Sequence, residues 1–182
     1  MEHGFVKVAA AVPHIKVADC NYNERQMENL IAQAEGKGVD IICFPELSMT
    51  GYSCGDIFTQ QLLLDNCENA IFKLLDFTRT LRIIAIIGLP IQYNSTLLNA
   101  AIVIQGGKIL GIVPKSFLPN NGGTQESRWF KSGKSFKTTT MHYCAQTIRM
   151  GTSLIFNTPE TTFGIEIGED LDAPTPPSAT LA

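Results

Sequence analysis

Charge is scarce in this sequence. Only 17% of its 182 residues are Asp, Glu, Lys or Arg, against 45% hydrophobic ones. That balance excludes a disordered chain. The 14 basic residues are scattered and outnumbered by 17 acidic ones, so the chain lacks the electrostatic footprint of a nucleic-acid binder. No apolar run approaches the roughly 18–20 residues needed to cross a bilayer, and Met1-Glu2-His3-Gly4 has neither the basic nor the apolar region of a secretory signal. Cys20, Cys43, Cys54, Cys67 and Cys144 form no Cys-x-x-Cys pair, which argues against a disulfide framework or zinc ribbon. His3, His14 and His142 are equally dispersed, and metal ligands need clustering, so no metal site is legible. Asn94-Ser95-Thr96 reads as a loop. A single globular cytoplasmic domain, with no nucleic-acid or membrane partner, is expected.

What is present is hydrophobic patterning. Phe5 to Val12 is a short apolar run suited to a buried strand. Asn21, with Glu24 three residues later, offers a helix cap, and Met27, Leu30, Ile31 and Ala34 then mark one helical face. Gly36 and Gly38 end that helix, and Val39 to Phe44 forms a second strand. A second helix spans roughly Thr59 to Leu81. Arg82 to Gly88 is apolar without alternation, as a strand covered on both faces should be. Leu97–Ile104 and Ile109–Val113 are joined by Gly106-Gly107-Lys108, a hairpin signal. Met141–Arg149, Thr152–Phe156 and Phe163–Ile167 are further strand candidates. Helices lead and hairpins follow, which indicates an α/β fold with a mixed sheet and helices on at least one face. The chain stops four residues after Ser178, a helix-cap signal, so a C-terminally incomplete domain is expected.

In such folds ligands collect beyond the carboxyl ends of strands. Phe44-Pro45-Glu46 places a carboxylate there, Val113-Pro114-Lys115 an ammonium, and Ile167-Gly168-Glu169-Asp170 a glycine and two carboxylates. Each proline stiffens the backbone beside its charged neighbour. Partial burial would let Glu46 and Lys115 tune each other's proton affinity. Charged residues also follow strands simply because loops meet water. Cys43 reads as a core residue of its strand, and Cys54 as a more exposed loop thiol.

The wording of these segments resembles a known family. Pro45-Glu46-Leu47-Ser48-Met49-Thr50-Gly51-Tyr52, Pro114-Lys115-Ser116-Phe117-Leu118-Pro119 and Gly164-Ile165-Glu166-Ile167-Gly168-Glu169-Asp170 are similar, in order and spacing, to the three signatures of the nitrilase superfamily of carbon–nitrogen hydrolases. Tyr52 through Phe58, Lys115 through Asn120, Arg128-Trp129-Phe130 and Pro176-Pro177-Ser178 look like the amidase domain of bacterial glutamine-dependent NAD synthetases. The resemblance implies a nitrilase-like α-β-β-α sandwich over residues 1–182, and a homo-oligomer. It further implies glutamine as substrate, cleaved to supply ammonia to a separate synthetase domain that amidates deamido-NAD. No cofactor is implied in the amidase domain; ATP and Mg belong to the synthetase domain, which this sequence lacks.

Carried over by position, Glu46 matches the family's general base and Lys115 its oxyanion-stabilising cation. The nucleophile position, a cysteine in the family, is Gly168. Asn121 and Glu126 fall in the segment that would bind substrate, but the family's aromatics there are replaced by Asn121-Gly122-Gly123-Thr124-Gln125, and Asp172 stands for a tryptophan. Three readings stay open: an altered glutaminase domain, inactive for lack of the thiol; a non-catalytic binding or assembly module on the same fold; and, more weakly, a hydrolase using Cys144 or Cys54.

Overall fold

The computed structural model describes residues 5–120, 125–136 and 138–181. A seven-stranded mixed sheet organises the chain, in the order β1-β2-β3-β4-β5-β7-β6. Strands β1 (Val8–Ala10), β2 (Ile41–Cys43) and β3 (Ile84–Tyr93) run parallel, each separated from the next by one α-helix. Strands β4 (Thr96–Gln105) and β5 (Lys108–Pro114) follow as antiparallel hairpins. Strand β7 (Gln146–Met150) then pairs parallel to β5 and antiparallel to β6 (Thr139–Tyr143). A separate two-stranded ribbon, β8 (Phe156–Asn157) with β9 (Thr162–Phe163), lies outside the main sheet.

Helices α1 (Cys20–Gly36) and α2 (Gln61–Phe77) cover one face; α3 (Ser178–Leu181) is a single turn. Met27, Ile31 and Ala34 of α1 and Leu63, Ala70, Ile71 and Leu74 of α2 pack in one core with Ile42, Ala85, Ala100, Ile102 and Ile104. The alternate strand residues Ile41, Ile84, Ala101, Val103 and Val113 face the other way and meet Phe156, Ile165 and Ile167. Burial on both faces explains why these strands read as continuous apolar runs. Pro90 fits inside β3 because β2 pairs only with Ile84–Ile86, which leaves that side of the strand without ladder bonds to lose. At the sheet's edge, β1 exposes Val8 by 68%.

Several boundaries differ from the sequence reading. The α1 cap is Asp19, whose carboxylate accepts from the Tyr22 amide at 3.0 Å. Asn21 lies inside the helix. The single strand expected over Met141–Arg149 is a hairpin that turns at Cys144 and Ala145, both with positive φ (47° and 56°). Neither residue type favours that conformation, but Glu68 of α2 accepts from the Cys144 amide at 2.8 Å and holds the turn down. Of Phe163–Ile167, only Phe163 is in a ladder. Cys43 is exposed and Cys54 buried, the reverse of expectation, since Cys54 donates to the Thr50 carbonyl beneath its loop.

Candidate active site

Three chain segments converge beyond the ends of β2 and β5. The first is a tight turn after β2, in which the Ser48 amide donates to Pro45 O and the Gly51 amide to Leu47 O. It rests against β3 at Gly88, where a Cβ would come within 2.6 Å of Pro45 O and 2.8 Å of Glu46 Cα. Only glycine permits that approach. Asn23 of α1 secures the turn's far end by donating to Met49 O at 2.9 Å. Glu46 is thereby fixed at the sheet's edge.

The second segment carries Lys115 directly off β5, its amide donating to Asn99 O at 2.8 Å. The third is the turn Gly168–Asp170. Asp170 ties it to the second: its carboxylate accepts from the amides of Ser116 (3.0 Å), Phe117 (2.7 Å) and Ile167 (3.1 Å). Burial pushes the Asp170 carboxyl up, and those backbone donors oppose the shift.

Lys115 is the centre of the assembly and is fully buried. Its Nζ donates to Glu46 Oε1 at 2.7 Å, Glu126 Oε1 at 2.9 Å and Glu169 Oε2 at 2.7 Å. An ammonium has three donors, and all three are engaged. The oxygens of Glu46, Glu126 and Glu169 lie within 4.8 Å of one another, a spacing that suits a cation. Lys115 is that cation. Desolvation alone would push its pKa down, but the three carboxylates outweigh this and raise it. Glu46 is shifted upward by burial, with Lys115 opposing and Glu126 adding to the rise. For Glu169 desolvation works upward too, but the Lys115 contact wins and lowers it.

Gly168 borders the same space with φ +52°. A Cβ built there would lie 2.6 Å from Glu46 Oε2 and 3.1 Å from Lys115 Nζ. The structure therefore brings Glu46, Lys115, Gly168 and Glu126 to one point. Asn121 lies outside the described residues. Cys144 and Cys54 are elsewhere: Cys144 sits at the β6–β7 turn, its thiol pushed up to about 12 by burial and Glu68, and burial also raises that of Cys54. Neither is a ready thiolate.

Sequence reasoning missed three members. Asn99, in the middle of β4, donates from Nδ2 to Glu46 Oε1 and, at 3.4 Å, to Glu126 Oε2. Tyr52 donates to Glu126 Oε1 at 2.8 Å. Burial, followed by the Glu126 contact, raises the Tyr52 phenol. Glu169 was visible only as one of two carboxylates after a strand. The signal for Asn99 was available, because a carboxamide inside an apolar strand requires a partner.

Comparison with known proteins accords with this geometry. Residues 7–170 match the carbon–nitrogen hydrolase family, and the chain belongs to it. It is 33% identical to the glutamine-dependent NAD(+) synthetase of Mycobacterium tuberculosis, over 100% of this chain and 27% of that protein. It is 38% identical to the Aquifex aeolicus protein of the same name over 65% of this chain and 20% of that one. Among solved structures, a glutamine-dependent NAD(+) synthetase from Cytophaga hutchinsonii superposes with a TM-score of 0.81 at 26% identity, over 87% of this chain and 27% of that one. An amidase from Nesterenkonia shares the fold (TM-score 0.60, 19% identity, 79% of this chain and 54% of the amidase). The chain spans about a quarter of the length of the synthetases it matches. Among the described residues, no helix is long and apolar enough to cross a membrane.

Proposed function

We propose that this chain has the architecture of the glutamine-cleaving domain of a glutamine-dependent NAD synthetase, and that it does not itself turn over glutamine. In a working site a carboxylate at Glu46 would take the proton of a thiol, which attacks the carboxamide carbon. Glu46 would pass that proton to the leaving nitrogen, which departs as ammonia, and water activated by the regenerated carboxylate would release glutamate from the thioester. Lys115 would face the developing oxyanion. The ammonia would serve a separate synthetase domain that holds ATP and Mg and amidates deamido-NAD.

The observation carrying the reading is the position of Gly168, whose missing side chain would point between Glu46 and Lys115. Acid–base assistance from the remaining pair supplies about 10²–10⁴-fold, whereas enzymes commonly need about 10⁶-fold or more. A second reading, a non-catalytic binding or assembly module, is favoured by one feature. Lys115 has no free donor for a substrate oxygen until a carboxylate releases it. Glu169, whose side chain is 44% exposed, is the outermost of the three. Association into homo-oligomers is supported by the exposed apolar residues Phe5, Val8 and Val12 along the β1 edge.

Ammonia release from excess glutamine, measured on the purified chain beside Glu46→Ala, tests the first reading. Both proteins are expected to give the same background. Release that requires Glu46 would overturn the claim of inactivity. Gly168→Cys alone is expected to be insufficient, because Asn121-Gly122-Gly123-Thr124-Gln125 supplies no aromatic wall for the substrate.

A further inference from the structure

We propose that Asn99 is the positioning residue that holds Glu46 and Glu126 as two carboxylates on either side of the Lys115 ammonium. The inference rests on reading this cluster as the acid–base centre of an amide-cleaving site. Asn99 is 1% exposed in a strand whose neighbours are Leu98, Ala100, Ala101 and Ile102. A carboxamide so buried costs stability unless its polar atoms are used.

Asn99 uses its backbone carbonyl and its Nδ2 group. The backbone carbonyl of Asn99 accepts from the Lys115 amide and fixes where the lysine leaves β5. The single Nδ2 group donates to Glu46 Oε1 and to Glu126 Oε2. The neighbouring Glu126 makes Glu46 resist ionisation, and the Asn99 donor eases that resistance. The third polar atom, Oδ1, has no partner among the described residues. Turning the amide over would set that oxygen against two carboxylates, so the charges themselves fix the orientation of Asn99. The groups facing Glu46 are thus Lys115 from the end of β5, Glu126 with Tyr52 on its other side, and Asn99 from β4. Glu169 is joined to the set through Lys115.

The test is a titration of the Glu46 carboxyl by carbon-13 NMR, assigned with Glu46→Gln, in the wild type, Asn99→Leu and Asn99→Ser. Leucine keeps the bulk and adds no charge but removes the donor. It is expected to raise the Glu46 midpoint by about 1 unit, the scale of one lost charge-assisted hydrogen bond. Serine retains a hydroxyl donor and is expected to shift it less. A purely packing role for Asn99 would leave the midpoint in place. Should Asn99→Leu fail to fold, the wild type alone decides. The Nδ2 protons of Asn99 are expected to follow the Glu46 midpoint across the pH range. An unchanged midpoint in folded Asn99→Leu, or Nδ2 resonances that stay flat while Glu46 titrates, would overturn the proposal. Neither readout depends on whether the chain cleaves amides, so ammonia release and Asn99 can fail separately.

Discussion

Two ionic clusters in this chain use similar chemistry at opposite depths. At the strand ends, fully buried Lys115 is enclosed by Glu46, Glu126 and Glu169. On the surface, Arg128 donates to Asp56 through Nε (2.9 Å) and Nη2 (3.0 Å), and Trp129 adds Nε1 to the same carboxylate at 2.8 Å. The side chains of Arg128 and Asp56 remain 58% and 71% exposed. Trp129, followed by Arg128, holds the Asp56 carboxyl below its ordinary value. Both clusters join the segment around Tyr52–Thr59 to that around Glu126–Arg128. Water screens the outer one, so its geometry outstrips its energy. The inner one is screened far less, because Lys115 and Glu126 are buried and only Glu169 reaches well into water. Good geometry alone does not rank ion pairs; depth does.

The sharpest way to break the comparison is to remove the buried cation. Lys115→Met leaves buried and half-buried carboxylates without a counter-charge, and is expected to cost about 3–5 kcal/mol in urea unfolding. That is a large share of the roughly 5–15 kcal/mol a domain possesses. A loss under about 1 kcal/mol would mean that water reaches the cluster.

Glu24 sharpens the contrast: it is buried, and Lys73 and Arg25 only partly offset the cost of its charge. Desolvation, then its neighbour Glu28 one turn away, pushes its carboxyl to about 7. The sign follows from linkage. With a folded pKa above the ordinary 4.5, the native state binds more protons than the unfolded chain between those values. Stability therefore falls as pH rises through that window. Glu24→Gln is expected to gain on the order of 1–2 kcal/mol at pH 8, after discounting for solvent screening, and nothing at pH 4. Thermal unfolding at the two pH values checks this, and equal effects at both would contradict it. The smallest change is expected at the surface: Arg128→Ala should leave the unfolding midpoint close to that of the wild type, by differential scanning calorimetry at moderate salt.

The depth of these clusters marks what the sequence made legible. Glu46 and Lys115 could be picked out because each follows a proline at the end of an apolar strand, a purely local pattern. The α1 and α2 faces were legible for the same reason. That Asn99 needs a partner was legible, but which partner was hidden, since that depends on the register that sets it beside Lys115 across β4 and β5. Tyr52 and Glu169 reach the cluster from segments 63 and 54 residues away from Lys115 in sequence, and no local period encodes such contacts. The β6–β7 hairpin was missed because Cys144-Ala145 carries none of the usual turn chemistry; Glu68, far away in α2, supplies the constraint. Asp19 was passed over as a cap in favour of Asn21 because both residue types cap well, and only the helix start decides between them.

The central claim is that Glu46 and Lys115 act as one unit, and a double-mutant cycle with Glu46→Gln, Lys115→Met and the pair tests it most directly. Urea unfolding at pH 7 supplies the four stabilities. A coupling energy of about 1.5 kcal/mol or more is expected, because Lys115 is fully buried and Glu46 mostly so against it. Additivity to within about 0.5 kcal/mol would contradict the account, and would make the buried cluster no different in kind from the one in water.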